Sequence, residues 1–392
     1  MKLEKIFQNK TFTTMAVVLS ALCVGCVSSI TFSAEREFSK TATKYVEISS
    51  KQLKNSQLQT VLDEAVEELE IPGAVMYISG PQGTWIGASG YSDLDSETLM
   101  KPDDRLALAS VSKTFVGVVI LKLVEQGQLN LDESINKYLP KDISKNIRYS
   151  DKITVRQLLN HSSGIIDYLD DDFAEITEGR SRSQPWKARE VIKLIYGEPQ
   201  AKPGKKHDYS NSNYILLELI VEEKTGKSLA EVMREKILNP IGLKNTFTEL
   251  RENKSTSIVT GYSDINEDGV LKSHKGLNEG NGLGDGGLIS NAIDTAKFID
   301  VLVAKKSLLS PQILNEMLTF IPTGDGDEYG LGIARFQTPF GEAIGHDGSS
   351  YGFVSLMLHY PDDNITAVVL VNKDGDFTEE ILNKGLKAYT QS

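Results

Sequence analysis

Strand-like runs stand at both ends of this chain and helical periodicity fills its middle, an order that strongly limits the folds open to it. A helix with Leu58, Val61, Leu62, Val66 and Leu69 on one face is followed by Pro72-Gly73 and two strand-like segments, 74–79 and 84–88. From about residue 110 to 281 the pattern is helix-rich, over 154–161, 188–196, 212–224 and 229–238. After a helix at 292–303, strand patterns return at 330–336, 343–345, 353–360 and 366–372, and a helix at 378–389 closes the chain. No Pro/Gly/Ser-rich linker and no internal repeat separates these parts. The reading is therefore an α/β chain of the α+β type: one antiparallel sheet, flanked by helices, built from 55–109 and 282–392, with an all-helical lobe, 110–281, inserted in it. Length agrees, because about 358 residues remain beyond an N-terminal leader, more than the roughly 250–300 that a single core usually serves.

The leader is read at residues 1–34, with 35–54 as a linker. Lys2, Lys5 and Lys10 precede an uncharged apolar stretch from Met15 to Val27, shorter than a spanning helix and the length of a signal-peptide core. Three alternatives stay open: cleavage near 31–34, lipid attachment at a degenerate lipobox, Cys23-Val-Gly-Cys26, or an uncleaved anchor. Each implies a secreted or cell-envelope location. Both cysteines of the chain lie in this segment, so the remainder has neither a disulfide framework nor a cysteine nucleophile. Net charge is −12, and −14 once residues 1–34 are set aside, which argues against nucleic acid as a partner. The membrane is expected as a partner only through the N-terminal segment.

Chemistry concentrates at Ser110-Val-Ser-Lys113. Val111, Phe115, Val118, Val119 and Leu123 recur at helical spacing behind it, which sets Ser110 at a helix start and Lys113 on the same face one turn on. A serine there is also an ordinary N-cap, and a lysine three residues later an ordinary surface charge. Two companion motifs give the pair weight. Tyr209-Ser-Asn211 lies on a loop entering the helix at 212, and His346-Asp-Gly348 is read at a strand end before the run 353–360.

Other patterns compete and are set aside. Lys224-Thr-Gly226 reads as a helix stop, with a basic last turn and a glycine just beyond it. His274-Lys-Gly276 reads as a polar loop with no adjoining strand. Gly348-Ser-Ser-Tyr-Gly352 matches a nucleophile elbow, but strand alternation follows it where a helix is required. Asp264-x-Asn-x-Asp268-Gly opens like a calcium loop whose twelfth position should be glutamate and is Lys275. No zinc-ligand spacing and no phosphate-binding glycine motif occurs, so neither metal nor cofactor is expected.

Ser-x-x-Lys, Tyr-x-Asn and His-x-Gly in this order resemble the motifs of the penicillin-recognising serine hydrolases of the class C β-lactamase, D,D-carboxypeptidase and alkaline D-peptidase type. The segments Thr154-Val-Arg-Gln-Leu-Leu-Asn-His-Ser-Ser-Gly164, Asn239-Pro-Ile-Gly-Leu243, Gly286-Gly-Leu-Ile-Ser290 and Tyr329-Gly-Leu-Gly332 are similar to landmarks between those motifs. The resemblance runs from about residue 55 to the C-terminus. It implies the β-lactamase/transpeptidase-like fold, with the active site in the cleft between lobes.

A serine hydroxyl needs a base within hydrogen-bond reach, and the candidates are Lys113 and Tyr209. A lysine serves if burial or a nearby positive charge lowers its pKa, and a tyrosine serves if nearby cations favour phenolate. The residues leave that choice open, and the resemblance implies Tyr209 as base with Lys113 in support. Asn211 is expected on the substrate's acyl amide, and His346 opposite Ser110. The oxyanion is expected between the backbone N–H groups of Ser110 and Ser349. Asp347 and Gly348 complete the substrate-binding set, with Asp347 standing where carboxypeptidases of the family commonly carry threonine. The resemblance implies an acyl-enzyme on Ser110 and D-amino-acid peptides as substrates. The alternatives are β-lactams, small esters, or a penicillin-binding scaffold without turnover.

Overall fold

The computed structural model describes residues 55–169, 185–198, 201–252, 258–264, 268–274 and 282–391. The leader and the linker expected before residue 55 lie outside the described residues, as do residues 265–267 and 275 of the calcium-like loop. Residues Lys54–Ser392 form one compact unit.

The centre of that unit is a nine-stranded antiparallel sheet. Its N-terminal strands are β1 (Gly73–Gly80), β2 (Gly83–Asp93) and β3 (Thr98–Leu99). Two short pieces outside it, β4 (Leu106–Ala107) and β5 (Phe247–Thr248), flank β8 (Leu288–Ser290) in a small sheet, and β6 (Tyr262–Ser263) pairs with β7 (Lys272–Ser273). The C-terminal strands are β9 (Ile321–Pro322), β10 (Glu328–Tyr329), β11 (Ala334–Thr338), β12 (Gly341–Ser350), β13 (Phe353–Tyr360) and β14 (Ile365–Val371). The large sheet runs β3-β2-β1-β14-β13-β12-β11-β10-β9, so the two ends of the chain meet at the β1–β14 pair.

Side-chain alternation along these strands divides the core into two layers. Met76, Ile78, Leu356, Leu358, Val369 and Val371 face a layer made by helix α1 (55–68) and by the C-terminal helix, which packs Ile381, Leu382, Leu386 and Tyr389. Val75, Met357, Val368 and Leu370 face the opposite way, into a layer that also contains α2 (Ser112–Glu125). On that side follow α3 (Lys141–Ser144), α4 (Val155–Leu159), α5 (Ala188–Val191), α6 (Ser212–Thr225) and α7 (Leu229–Met233). Helix α8 (Ala292–Ile299) joins them, with Phe298 stacked on Phe115 at 3.6 Å between ring centroids. Helices α9 (Pro311–Met317) and α10 (Thr378–Thr390), the C-terminal helix, complete the set. Each fully buried Leu, Ile or Phe in these layers contributes about 1.5–3 kcal/mol of hydrophobic stabilisation.

Several expectations need correction. The inserted segment is not wholly helical: β5 and the β6–β7 pair fall inside it, and β7 adjoins His274, where no strand was expected. Helix 188–196 tightens into a 3₁₀ turn at Ile192–Ile195, while α7 and α8 each finish in a wider π-helical turn, Arg234–Leu238 and Asp300–Ala304. The strand expected from residue 330 starts at Ala334. His346-Asp-Gly348 is not at a strand end but inside β12, in register with Met357, Leu356 and Ser355 of β13. Two of the set-aside patterns behave as helix stop and hairpin: Gly226 caps α6 in the left-handed region at φ 67°, and Ser350 closes β12 at the turn into β13.

Candidate active site

Ser110 does not open α2 directly. It sits in a 3₁₀ turn, Ala109–Val111, and α2 begins at Ser112. The turn is entered through Ala109 at φ 45°, a left-handed conformation that costs a non-glycine residue on the order of 1 kcal/mol and persists only where the surroundings enforce it. They do so here. The Leu108 N–H donates to the Leu288 carbonyl at 2.8 Å, its carbonyl accepts from Ser355 Oγ at 2.7 Å, and Ser112 Oγ accepts from the Leu288 N–H at 3.1 Å. β12 also passes so close that a Cβ at Gly348 would lie 2.6 Å from the Leu108 carbonyl oxygen and 2.9 Å from the Ser110 nitrogen. Glycine is required there by contact with the nucleophile's own turn.

Lys113 is completely buried, with Nζ 3.0 Å from Ser110 Oγ, 2.7 Å from Asn211 Oδ1 and 2.6 Å from the Asp285 carbonyl oxygen. Burial lowers its pKa from 10.5 to about 8, against the pull of the Asp285, Asp167 and Asp347 carboxylates. Because an ammonium only donates, the Asn211 atom facing it is the amide oxygen. The Asn211 nitrogen donates to Asp167 Oδ2 at 2.8 Å, which fixes the flip.

Asn211 is the N-cap of α6, and the loop before it is fastened to the chain leaving α4. α4 itself starts at a reciprocal capping box, with the Gln157 N–H donating to Thr154 Oγ1 and the Thr154 N–H to Gln157 Oε1, an arrangement worth about 1 kcal/mol. It ends just before His161, another left-handed residue, at φ 55°. The His161 carbonyl accepts from the Asp208 N–H, its Nδ1 accepts from the Ser210 N–H, and its ring lies 4.1 Å from the Tyr209 ring, nearly parallel. Tyr209 is thus held on both flanks. Its residue surface is 38 % exposed, and its hydroxyl shares a hydrogen bond with Ser110. Burial drives that phenol well above 10, and the Ser110 hydrogen bond opposes the shift.

His346 is buried behind this group. Its Nδ1 lies 2.5 Å from the Asp347 carbonyl oxygen and its Nε2 2.7 Å from the Tyr329 hydroxyl. Burial lowers its pKa, so the ring is neutral at physiological pH. A carbonyl cannot donate, so Nδ1 carries the proton and Nε2 accepts from Tyr329. Asp347 takes the other face of β12. Its cross-strand partner Leu356 packs with α10, and its carboxylate is exposed. It nevertheless raises the pKa of Lys113, so its charge reaches the lysine. β11 pairs with β12 only as far as Gly345, and no register among the described residues continues along that edge from His346 to Ser350. Ser349 lies on this stretch, next to the glycine that touches Ser110.

The arrangement therefore gathers Ser110, Lys113, Tyr209, Asn211, His346 and Gly348. Sequence reasoning missed Asp167, Tyr168, His161, Asp285 and Tyr329 as working parts. His161 and Tyr329 stood inside quoted landmark segments without a role. Ser-x-x-Lys spacing alone does not single out Ser110, since it recurs at Ser134-Ile-Asn-Lys137. There the serine donates to the Ser150 carbonyl and the lysine is an exposed partner of Glu133.

Comparison with known proteins matches residues 58–391 to the family described as Beta-lactamase. The chain is 27 % identical over 349 residues to penicillin-binding protein 4* of Bacillus subtilis (strain 168), covering 83 % of this chain and 73 % of that protein. It is 31 % identical over 208 residues to protein flp of Staphylococcus aureus (strain MW2), a match covering 53 % of this chain and 41 % of that longer relative. Among solved structures, a D-stereospecific amidohydrolase from a Streptomyces species superposes with a TM-score of 0.72 at 28 % identity, covering 85 % of this chain and 98 % of the other. With a serine, a buried lysine and a tyrosine converging as described, the chain belongs to the Beta-lactamase family and is a serine hydrolase of the β-lactamase and penicillin-binding type.

Proposed function

We propose that this protein hydrolyses peptide or amide bonds of D-amino acids through an acyl-enzyme on Ser110, with Lys113 as the resting-state base. One observation carries the assignment of the base. Of the three groups around Lys113 Nζ, two can only accept, Asn211 Oδ1 and the Asp285 carbonyl, while the third is the Ser110 hydroxyl. A neutral amine has two protons and one lone pair. With both protons held by the pure acceptors, the lone pair is left for the Ser110 proton. A lysine brought down to about 8 reaches that neutral form far more readily than a phenol held well above 10 reaches phenolate.

In this scheme Ser110 Oγ adds to the substrate carbonyl as its proton passes to Lys113. The oxyanion is held by the N–H groups of Ser110 and Ser349. Collapse breaks the C–N bond, the amine leaves with a proton relayed through the Tyr209 hydroxyl, and water then cleaves the ester on Ser110. Asn211 keeps its oxygen on Lys113 and offers an N–H edge toward the acyl side. Asp347 places negative charge beside the site, which favours neutral amides, esters or internal D-peptide bonds over substrates with a free carboxylate. The D-preference rests on the likeness to the D-stereospecific amidohydrolase. An extracytoplasmic location belongs to the same proposal and rests on the 1–34 leader. Among the described residues no helix is long and apolar enough to cross a membrane.

The test compares hydrolysis of D- and L-phenylalanine amide, with intact mass measured after incubation with a fluorophosphonate and with benzylpenicillin. The proposal expects a D-preference of at least tenfold and a single adduct. Equal rates on both enantiomers, or turnover confined to benzylpenicillin, would overturn it.

A further inference from the structure

The Asp285 carbonyl can hold a proton of Lys113 only if the loop carrying it stays in place, and that loop, Gly282–Gly287, has almost no side chains to anchor it. It is packed backbone against backbone. A Cβ at Gly282 would lie 2.1 Å from the Glu249 carbonyl oxygen, one at Gly287 2.5 Å from Gly282, and one at Gly284 3.0 Å from the Tyr214 carbonyl oxygen. A side chain from outside takes hold of it. Glu218, buried on α6 two turns beyond Asn211, accepts the Gly284 N–H at Oε2 at 2.7 Å. The residue after Gly284 is Asp285, whose carbonyl accepts from Lys113 Nζ at 2.6 Å and whose carboxylate accepts from the Tyr168 hydroxyl at 2.6 Å. α6 thus reaches Lys113 twice, directly through Asn211 and indirectly through Glu218 and the loop.

We propose that Glu218 is a positioning residue for catalysis: by accepting the Gly284 N–H it sets the Asp285 carbonyl at Lys113 and so aims the lysine's lone pair at Ser110. This rests on the reading of Lys113 as base. Burial pushes the Glu218 carboxyl up to about 8, with Glu222 adding to the shift, so at neutral pH it works chiefly as an uncharged acid. What the loop uses is its oxygen as an acceptor. A glutamine supplies the same acceptor without a titrating proton; a leucine fills similar space and supplies none.

The experiment uses the full chain with the p-nitrophenyl ester of N-acetyl-D-phenylalanine, a neutral substrate. Glu218→Gln is expected to keep kcat within about threefold. Glu218→Leu is expected to lose at least tenfold in kcat with KM changed less than twofold, since no substrate contact is touched. It should also lower the midpoint of the acid limb, because an acceptor that favours the ammonium has gone. The charges around Lys113, namely Asp285, Asp167 and Asp347, and the neutral His161, His346 and Tyr209, are all retained in that variant. If Glu218→Leu does not fold, Gly284→Ala asks the same question: its Cβ forces the loop off the Tyr214 carbonyl and should reproduce the selective loss in kcat. Wild-type kcat in Glu218→Leu, or in Gly284→Ala where the leucine variant does not fold, overturns the inference, as does an equal loss in Glu218→Gln and Glu218→Leu. Lys113→Ala separates this from the underlying reading. Should that variant keep the wild-type acylation rate, Lys113 is not the base; should it be inactive while Glu218→Leu is unimpaired, only the role of Glu218 fails.

Discussion

The two walls of the site are built differently. On the helical side, Ser110, Lys113, Asn211, Asp167 and the Asp285 carbonyl form a closed set in which the polar atoms facing Lys113 are paired with one another. On the sheet side, β12 offers an edge that has no ladder partner beyond Gly345 among the described residues, and an exposed carboxylate at Asp347. A buried, saturated network cannot adapt to a ligand without leaving a polar group unpaired, which costs about 1–3 kcal/mol per group. An open edge has no such penalty. Chemistry is therefore assigned to the first wall and selectivity to the second, and the division can be broken by experiment.

The largest effect is expected at the nucleophile. Ser110→Ala should abolish labelling by a fluorophosphonate, while Ser350→Ala, at the tip of the sheet wall, should label at the wild-type rate. Peptide mapping of the adduct decides this; a label on Ser350 would move the chemistry to the other wall. Next come the partners of Ser110. Lys113→Ala and Tyr209→Phe should each slow acylation by roughly 10²–10⁴, the range of general acid–base contributions. Because both act on the same proton, the double variant should lose far less than the sum of the two in activation free energy. Additive losses from stopped-flow acylation would mean two independent devices.

A smaller and more diagnostic effect is the pH dependence. Lys113 must be neutral to accept a proton, so acylation by a neutral ester should rise with pH through a midpoint near 8 and level off above it. Tyr209 stays protonated across that range. Rates measured from pH 6 to 9.5 that show no rise would exclude the lysine. The smallest effect tests the sheet wall. Two like charges at ~4 Å repel by about 1–4 kcal/mol between bulk water and a surface-like dielectric, and Asp347 lies on the α10 face, so the lower end applies. Asp347→Thr should raise acylation by benzylpenicillin up to about fivefold and leave a neutral ester unchanged. An equal change in both would show that Asp347 does not read substrate charge.

What could be seen in the sequence follows the same division between side chains and backbone. Ser110, Lys113, Tyr209 and Asn211 were legible because the ordered set of Ser-x-x-Lys, Tyr-x-Asn and His-x-Gly motifs, rather than any one spacing, picks them out. The α6 and α10 boundaries were legible within a residue or so because a glycine or a polar turn ends each periodic run. Lys113's third partner was not legible, because every residue has a carbonyl and nothing in the letters Asp285 says which way it points. Asp167 was hidden among neighbouring acids at 170–172 with no spacing to select it. The strained turn at Ala109 was equally invisible, since alanine carries no sign of a positive φ.

The pairing of β1 with β14 has a consequence for how the molecule is made. Ala74 and Val371 are about 300 residues apart in the chain, yet they are register partners at the middle of the sheet. Loop closure over that separation must precede any of the contacts that reward it, which places this topology among the slow folders of high contact order. During synthesis β1 waits, with one edge unpaired, until nearly the last residues emerge. A chain ending before Ile365 would keep every catalytic side chain named above and still have no strand to stand between β1 and β13. Truncation from the C-terminus is expected to yield aggregate rather than a smaller enzyme.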